Sequence, residues 1–168
     1  PCCGGGYLLT VLGFLNMGSI NKIIGSDISD EAVDLAWHNL SLLTEEGLEK
    51  RIRQLDNYYI QFGKQSHKEA IDSAKRLMSI VKEHEKRPDF SVFKGDILAT
   101  ETLIAKDFKA DIVITDVPYG NLVSWKGSGQ DPINILLENL IPILKPGSVV
   151  AICSDKKQKV KAENYKRL

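Results

Sequence analysis

The segment Asp111-Ile112-Val113-Ile114-Thr115 is a short apolar run that ends on a carboxylate, Asp116, and continues as Val117-Pro118-Tyr119-Gly120. A buried strand of this kind brings an acid, a proline and an aromatic to one small cleft at its C-terminal end. The carboxylate can accept an N–H. Pro118 holds φ at about −65° and cannot donate, which shapes a turn whose carbonyls point outward. Tyr119 then has a flat face to lay against something planar, such as a nucleobase. The same residues also suit a strand that stops in a tight turn, with Asp and Pro as turn formers and Tyr as rim packing. The rest of the chain decides between the two.

Pro1-Cys2-Cys3-Gly4-Gly5-Gly6 is a glycine-rich turn that runs into Tyr7–Leu15, an apolar stretch of helical length. Glycines at such a junction permit positive φ and let a ligand approach the backbone, while the first N–H groups of the helix stay available. The strand expected before this turn would lie upstream of Pro1, so the chain reads as a fragment. Lys22–Asp27 is a short buried strand that again ends on a carboxylate. Asp27 follows Gly6 by 21 residues, close to the interval at which nucleotide-binding α/β units place an acid on ribose hydroxyls. A plain loop acid before the next helix is the other reading of Asp27. Ser29 or Asp30 can cap that helix, whose apolar stripe is Ala32, Val33, Ala36, Leu40 and Leu43.

Residues 44–87 break the alternation of strand and helix. Leu48, Ile52, Leu55 and Tyr59 follow helical spacing, and Ser66-x-x-Glu69 looks like a capping box opening a second helix with Ile71, Ala74, Met78 and Val81 inside. The stretch is longer than a connection needs and reads as an inserted helical hairpin. Its Lys/Arg residues, with Tyr58, Tyr59 and Phe62 nearby, could hold a nucleic acid backbone, although packing of these rings onto the domain is the expected role. A third strand over residues 90–94 leads to Gly95-Asp96-Ile97. An acid followed by an apolar residue at a strand end suits an adenine ring, Asp96 for the exocyclic amine and Ile97 for the flat face; it also suits an ordinary turn. Residues 122–131, with Trp125, read as a flexible loop. Residues 132–144 read as a helix closed by Lys145-Pro146-Gly147, and residues 148–153 as a last strand before a basic tail.

The 168 residues, 43% of them hydrophobic, suffice for one domain over residues 1–168. The 22 basic and 22 acidic residues balance but are unevenly spread. Residues 48–87 carry ten Lys/Arg against six Asp/Glu, and residues 156–168 six against one. An acidic body with two basic segments can still bind a polyanion, and solvated helix faces explain the same pattern. The three cysteines lack C-x-x-C spacing, which argues against a disulfide framework and a zinc site and for a reducing, cytoplasmic compartment. His38, His67 and His84 suggest neither a metal site nor a triad. No run reaches the roughly 18 apolar residues of a membrane span.

Strands ending at the glycine turn, Asp27, Asp96 and Asp116 place four polar features along one edge of an open parallel sheet, where α/β folds bind ligands. A dinucleotide oxidoreductase would satisfy the first two and has no use for Asp-x-Pro-Tyr after a later strand. Here the chain resembles the class I S-adenosylmethionine-dependent methyltransferases that methylate planar nitrogens. Within them, Pro1-Cys2-Cys3-Gly4-Gly5-Gly6-Tyr7-Leu8-Leu9-Thr10, Ser26-Asp27, the inserted helices and Asp116-Val117-Pro118-Tyr119-Gly120 look like the AviRa family, bacterial 23S rRNA guanine methyltransferases associated with orthosomycin resistance.

The resemblance covers nearly the whole chain. It implies a Rossmann-like α/β fold, a mostly parallel sheet flanked by helices, with the hairpin of residues 44–87 inserted between the second and third strands. The first strand and a C-terminal strand pair are expected to be missing. S-adenosylmethionine would be held by Pro1, Cys2, Gly4, Gly6, Asp27, Asp96 and Ile97. Asp116, Pro118 and Tyr119 would carry the transfer, and Tyr119, Gly120 and Trp125 would contact the substrate base, with no metal. The implied partner is 23S rRNA or a ribosomal subunit, and the implied state a monomer. Val117 stands where the wider nitrogen methyltransferase pattern has proline, which leaves the acceptor less defined than the chemistry. A methyltransferase for another planar nitrogen, or an RNA-binding module without turnover, remains an alternative. Cytosine C5 methyltransferases use a Pro-Cys nucleophile, but that cysteine belongs elsewhere in the fold, whereas Cys2 and Cys3 sit in the cofactor turn.

Overall fold

The computed structural model describes residues 1–118, 125, 131–156, 158–161 and 163–167. The chain divides into two compact units, one made of Cys3–Gly25 and Ser29–Phe93, the other of Pro1–Cys2, Ser26–Ile28 and Lys94–Leu168.

In the first unit, helix α1 (Tyr7–Leu15) starts from Gly6, which has φ 71° and donates its N–H to the Cys3 carbonyl at 2.9 Å. A Cβ on Gly6 would lie 2.9 Å from the Cα of Ala36, so glycine is what lets the turn approach helix α2 (Asp30–Ser41). Ser29 caps α2 as expected, its hydroxyl accepting from the Ala32 N–H at 3.3 Å and donating to Glu31 at 2.8 Å. Leu40 and Leu43, from the stripe read in the sequence, join Met17, Ile23, Leu48 and Val81 in the core. Strand β1 (Lys22–Asp27) pairs with β2 (Asp89–Lys94). The Asp89 N–H reaches the Asn21 carbonyl at one end and the Gly95 N–H the Asp27 carbonyl at the other, so both strands run in the same direction.

Helices α3 (Glu45–Phe62) and α4 (Gln65–Glu83) form the hairpin expected between α2 and β2. Thr44 caps α3 through Gly47 N–H at 3.1 Å, and Leu55, Ile71 and Ala74 seal the two helices together. At the base, Arg87 reaches Glu45 at 2.7 Å and the Val81 carbonyl at 3.1 Å. The expected capping box is absent. α4 opens at Gln65 with Lys64 at its N-cap and no side-chain cap, because Gly63, at φ 63°, already reverses the chain and leaves Ser66 inside the first turn. Nor do Tyr58, Tyr59 and Phe62 pack onto the domain: they are 38%, 38% and 54% exposed.

In the second unit, β3 (Ala110–Asp116) and β4 (Leu144–Cys153) pair in parallel, Ile112 opposite Val149 and Asp116 opposite Cys153. Between them lie helix α6 (Pro132–Leu140) and a 3₁₀ turn, Ile141–Ile143; a short helix α5 (Thr100–Ile104) precedes β3. The helix read over residues 132–144 is therefore shorter, and the last strand starts four residues earlier than residue 148. Lys145-Pro146-Gly147 does not lie between elements: it bulges from β4, since Ala110 faces Leu144 while Ile112 faces Val149. Ser148 holds the bulge, donating to the Ala110 carbonyl at 2.6 Å and accepting from the Lys145 N–H at 2.9 Å, with Gly147 at φ 82°. Val113, Val117, Ile133, Leu136, Leu140 and Ile143 are buried. Part of the expected basic tail docks on α6. Tyr165 donates to the Leu137 carbonyl at 2.7 Å, and Asn134 binds Lys159 and Lys161 backbone groups at 3.2 and 2.7 Å.

Candidate active site

Two chain segments far apart in sequence meet at Pro1 and Cys2. The Thr115 hydroxyl, near the end of β3, donates to the Pro1 carbonyl at 2.9 Å. Cys2 sits here with φ 50°, and burial pushes its thiol above the ordinary range. The carboxylates of Asp27 and Asp96 also push the thiol up, and a hydrogen bond with Thr115 lowers it. The raised pKa keeps the thiol neutral at physiological pH and unsuited to attack. Asp27 and Asp96 both lie near enough to Cys2 to act on its thiol electrostatically.

They do so through a local device. The Gly95 N–H bonds the Asp27 carbonyl at 2.8 Å, so the chain leaving β2 is tied to the last residue of β1. Asp96 then turns the chain, Oδ1 accepting from the Leu98 N–H at 2.9 Å and the carbonyl from the Ala99 N–H at 3.1 Å. Asp96 is thus a turn former, and its Oδ2 is the oxygen left to meet an amine. Ile97 is only 6% exposed, and its carbonyl accepts from Asn139 at 2.8 Å. The flat face expected from Ile97 is mostly spent on the core of this unit.

Asp116, exposed, lies one residue beyond Thr115. The turn after it is anchored at both steps: the Val117 N–H bonds the Cys153 carbonyl at 3.1 Å, and Gln158 Nε2 donates to the Pro118 carbonyl at 3.1 Å. Gln158 is itself fixed, its Oε1 accepting from the Asp155 N–H at 3.1 Å and its N–H donating to the Asp155 carbonyl at 2.9 Å. Val117 is buried at 1% exposure, so its side chain serves as the foot of the turn. The Pro118 carbonyl already accepts one hydrogen bond. Tyr119 and Gly120, expected to stack on and flank the base, lie outside the described residues. Trp125 is half-buried, and its indole N–H is buried without a partner among the described residues.

The glycine turn belongs to the first unit. Gly4 has φ 50°, and a Cβ there would meet no atom within 4 Å. The Asn39 amide, from α2, donates to the Gly5 carbonyl at 2.8 Å and steadies the turn. Within the second unit, the carboxylates of Asp27 and Asp96 are acceptor types that fit the hydroxyls and amine of a nucleoside cofactor such as S-adenosylmethionine. Among the described residues, no group of three or more His, Cys, Asp or Glu side chains is arranged to hold a metal ion. No helix of the described residues is long and apolar enough to cross a membrane.

Three residues escaped the sequence reading: Thr115, Asn139 and Gln158. Only Gln158 left a trace, as a neutral amide inside Lys156-Lys157-Gln158-Lys159.

A family model described as "rRNA methyltransferase AviRa" matches residues 1–168. A Streptomyces viridochromogenes protein described as 23S rRNA (guanine(2535)-N(1))-methyltransferase is 34% identical over 171 residues, covering 100% of this chain and 68% of its own length. A solved structure of the rRNA methyltransferase aviRa from the same organism, at 2.4 Å, superposes with a TM-score of 0.84 over 100% of this chain and 68% of that one. A second, at 1.5 Å, gives 0.83 over 95% and 65%, both at 34% identity.

Proposed function

Since this chain belongs to the AviRa family of rRNA methyltransferases, we propose that it methylates a guanine of 23S rRNA on a ring nitrogen, with S-adenosylmethionine as donor. The N1 position is part of this reading, supported by the description of the Streptomyces relative; a role in resistance to orthosomycin antibiotics is part of it through the family resemblance alone. The strongest structural support is the anchored Asp116–Pro118 turn, in the unit that also gathers Asp27 and Asp96 about Cys2.

When bound, S-adenosylmethionine supplies an electrophilic methyl group on a sulfonium. Guanine N1 bears a proton and a delocalised lone pair, so the protein must orient the base and receive that proton as the N–CH₃ bond forms. Asp116, exposed at the sheet end, is assigned to accept the N1–H. The Val117 carbonyl is assigned to the neighbouring exocyclic amine, which sets the plane of the base. Pro118, clamped through its carbonyl, fixes the direction in which the chain delivers Tyr119, whose ring is assigned to stack on the base for about 1–3 kcal/mol. Asp27 is assigned to ribose hydroxyls and Asp96 to the adenine amine. Access to a paired guanine requires that it swing out of its stack, and Trp125, whose indole N–H has no partner among the described residues, is assigned to contact the displaced nucleotide.

Incubation with methyl-labelled S-adenosylmethionine and 23S rRNA, followed by nuclease digestion and mass mapping, tests the reading. N1-methylguanosine at one position is expected, and Asp116→Asn should lower kcat by about 10²-fold. Label appearing only in DNA or protein would refute the substrate, and full activity of Asp116→Asn would refute the role of that residue.

A further inference from the structure

The far end of the α3–α4 hairpin is built unlike the rest of the molecule. Asn57 to Lys68 contains no Asp or Glu, but three aromatic residues, a histidine and two lysines. Tyr58, Tyr59 and Phe62 are substantially exposed, and Ile60 is 82% exposed. The rings of Tyr58, Phe62 and His67 brace one another, with centroids 5.8 to 6.4 Å apart. Lys64 Nζ lies 6.0 Å from the Phe62 centroid. Among the described residues, neither Lys64 nor Lys68 enters an ion pair.

None of these rings is needed to close the hairpin, because Leu55, Ile71 and Ala74 do so further down with Ile52 and Ala70. An 18-residue α3 carries the tip about 27 Å from its Thr44 cap. Water-exposed rings, held beside cations, match what unpaired nucleotides require: π-faces for bases and ammonium groups for phosphates. A protein partner matched to this surface would have to supply acidic side chains as well as apolar ones; an RNA loop offers charge and flat faces in one polymer.

We propose that the hairpin tip, residues 58–68, is an RNA-docking surface that grips unpaired nucleotides of the rRNA other than the one methylated. The proposal rests on the reading of an rRNA substrate. Tyr59 and Phe62 supply stacking faces, and Lys64 and Lys68 neutralise phosphates.

Filter binding of a radiolabelled 23S rRNA transcript over a range of salt concentrations tests this, using Tyr59→Ala/Phe62→Ala and Lys64→Glu/Lys68→Glu. The charge-reversal pair lies on the surface and keeps the test valid should the ring variant fold poorly, which thermal melting would report. Each pair should weaken transcript binding about tenfold. Charge reversal should also flatten the slope of log affinity against log salt by about 1 to 2. In turnover assays KM for rRNA should rise while kcat holds. Wild-type affinity and slope in Lys64→Glu/Lys68→Glu would overturn the inference. So would a loss of affinity for ribosomal subunits with none for the protein-free transcript, which would point to a ribosomal protein. Tip-dependent binding of the transcript without methyl transfer would refute the proposed reaction and leave the docking surface standing.

Discussion

Gln158 Nε2 donates to the carbonyl of Pro118 at 3.1 Å, joining the segment after β4 to the turn after β3. This contact engages the Pro118 carbonyl and fixes the end of the turn that follows Asp116. Gln158→Ala removes one hydrogen bond at a half-buried acceptor, a cost of about 1–3 kcal/mol where no water replaces it. Fold and cofactor affinity should persist, because Asp27 and Asp96 do not depend on Gln158. The expected result is a drop in kcat of about tenfold, with an unchanged dissociation constant for S-adenosylmethionine by calorimetry. Equal losses in both would show that Gln158 supports the whole unit and not the turn.

Gly4 and Gly6 both have positive φ but face different surroundings. A methyl at Gly6 would overlap the Ala36 backbone at 2.9 Å, whereas one at Gly4 would meet nothing within 4 Å. Gly6→Ala therefore combines left-handed strain with a clash and should cost about 2–3 kcal/mol in urea unfolding. Gly4→Ala carries the strain alone, about 1 kcal/mol. If the space above Gly4 receives the cofactor, Gly4→Ala should nonetheless weaken S-adenosylmethionine binding the more, measured per unit of stability lost. An unchanged dissociation constant in Gly4→Ala would remove that glycine from the binding site.

Local chemistry made much of this fold readable. Tyr7–Leu15, the Ser29 cap and the runs ending at Asp27 and Asp116 are set by nearest neighbours: glycine before an apolar stretch, a hydroxyl before an acidic first turn, β-branched residues before an acid. What failed depended on distant partners. Lys145-Pro146-Gly147 has the composition of a turn, and only the bond from Ser148 to the Ala110 carbonyl makes it a bulge within β4. Ser66 has the spacing of a cap, but Gly63 reverses the chain before it. The rings at 58, 59 and 62 follow a packing pattern along α3, yet they remain partly exposed on the hairpin, where Tyr58 and Phe62 meet only the ring of His67 among the described aromatic contacts across to α4. Of the proposed site residues, Asp27 and Asp116 close β1 and β3 and Asp96 lies two residues past β2, positions that the local pattern makes visible. Thr115, Asn139 and Gln158 act by hydrogen bonds to carbonyls 114, 42 and 40 residues away, which no local spacing encodes.

The half-buried Cys2 thiol gives a pH signature. Its pKa is raised above the ordinary value of 9.0, chiefly by burial, so the folded protein holds the proton more tightly than the unfolded chain. As pH rises past about 9, the unfolded state ionises first and stability declines until the folded thiol also titrates. Urea midpoints should therefore fall across this alkaline window and fall less in Cys2→Ala. Thiol labelling followed by mass spectrometry gives an independent reading: at neutral pH exposed Cys153 should be alkylated well before Cys2. Rapid alkylation of Cys2 would contradict a half-buried, protonated thiol.

Asp27 and Asp96 lie close enough together to act on the same thiol, but their positions differ in what else they must do. Asp96 Oδ1 is occupied by the Leu98 N–H, so Asp96→Ala undoes the turn after β2 as well as any contact with adenine. Its loss of cofactor affinity should come with a loss of stability of about 1 kcal/mol. The Asp27 carbonyl accepts from the Gly95 N–H, a bond that Asp27→Asn leaves intact. Asp27→Asn keeps the shape of the side chain while removing the charge that strengthens a hydroxyl hydrogen bond, so S-adenosylmethionine affinity should drop about tenfold. A nucleoside lacking the ribose hydroxyls should bind wild type and Asp27→Asn alike. If the two proteins still differ, Asp27 does not read the ribose.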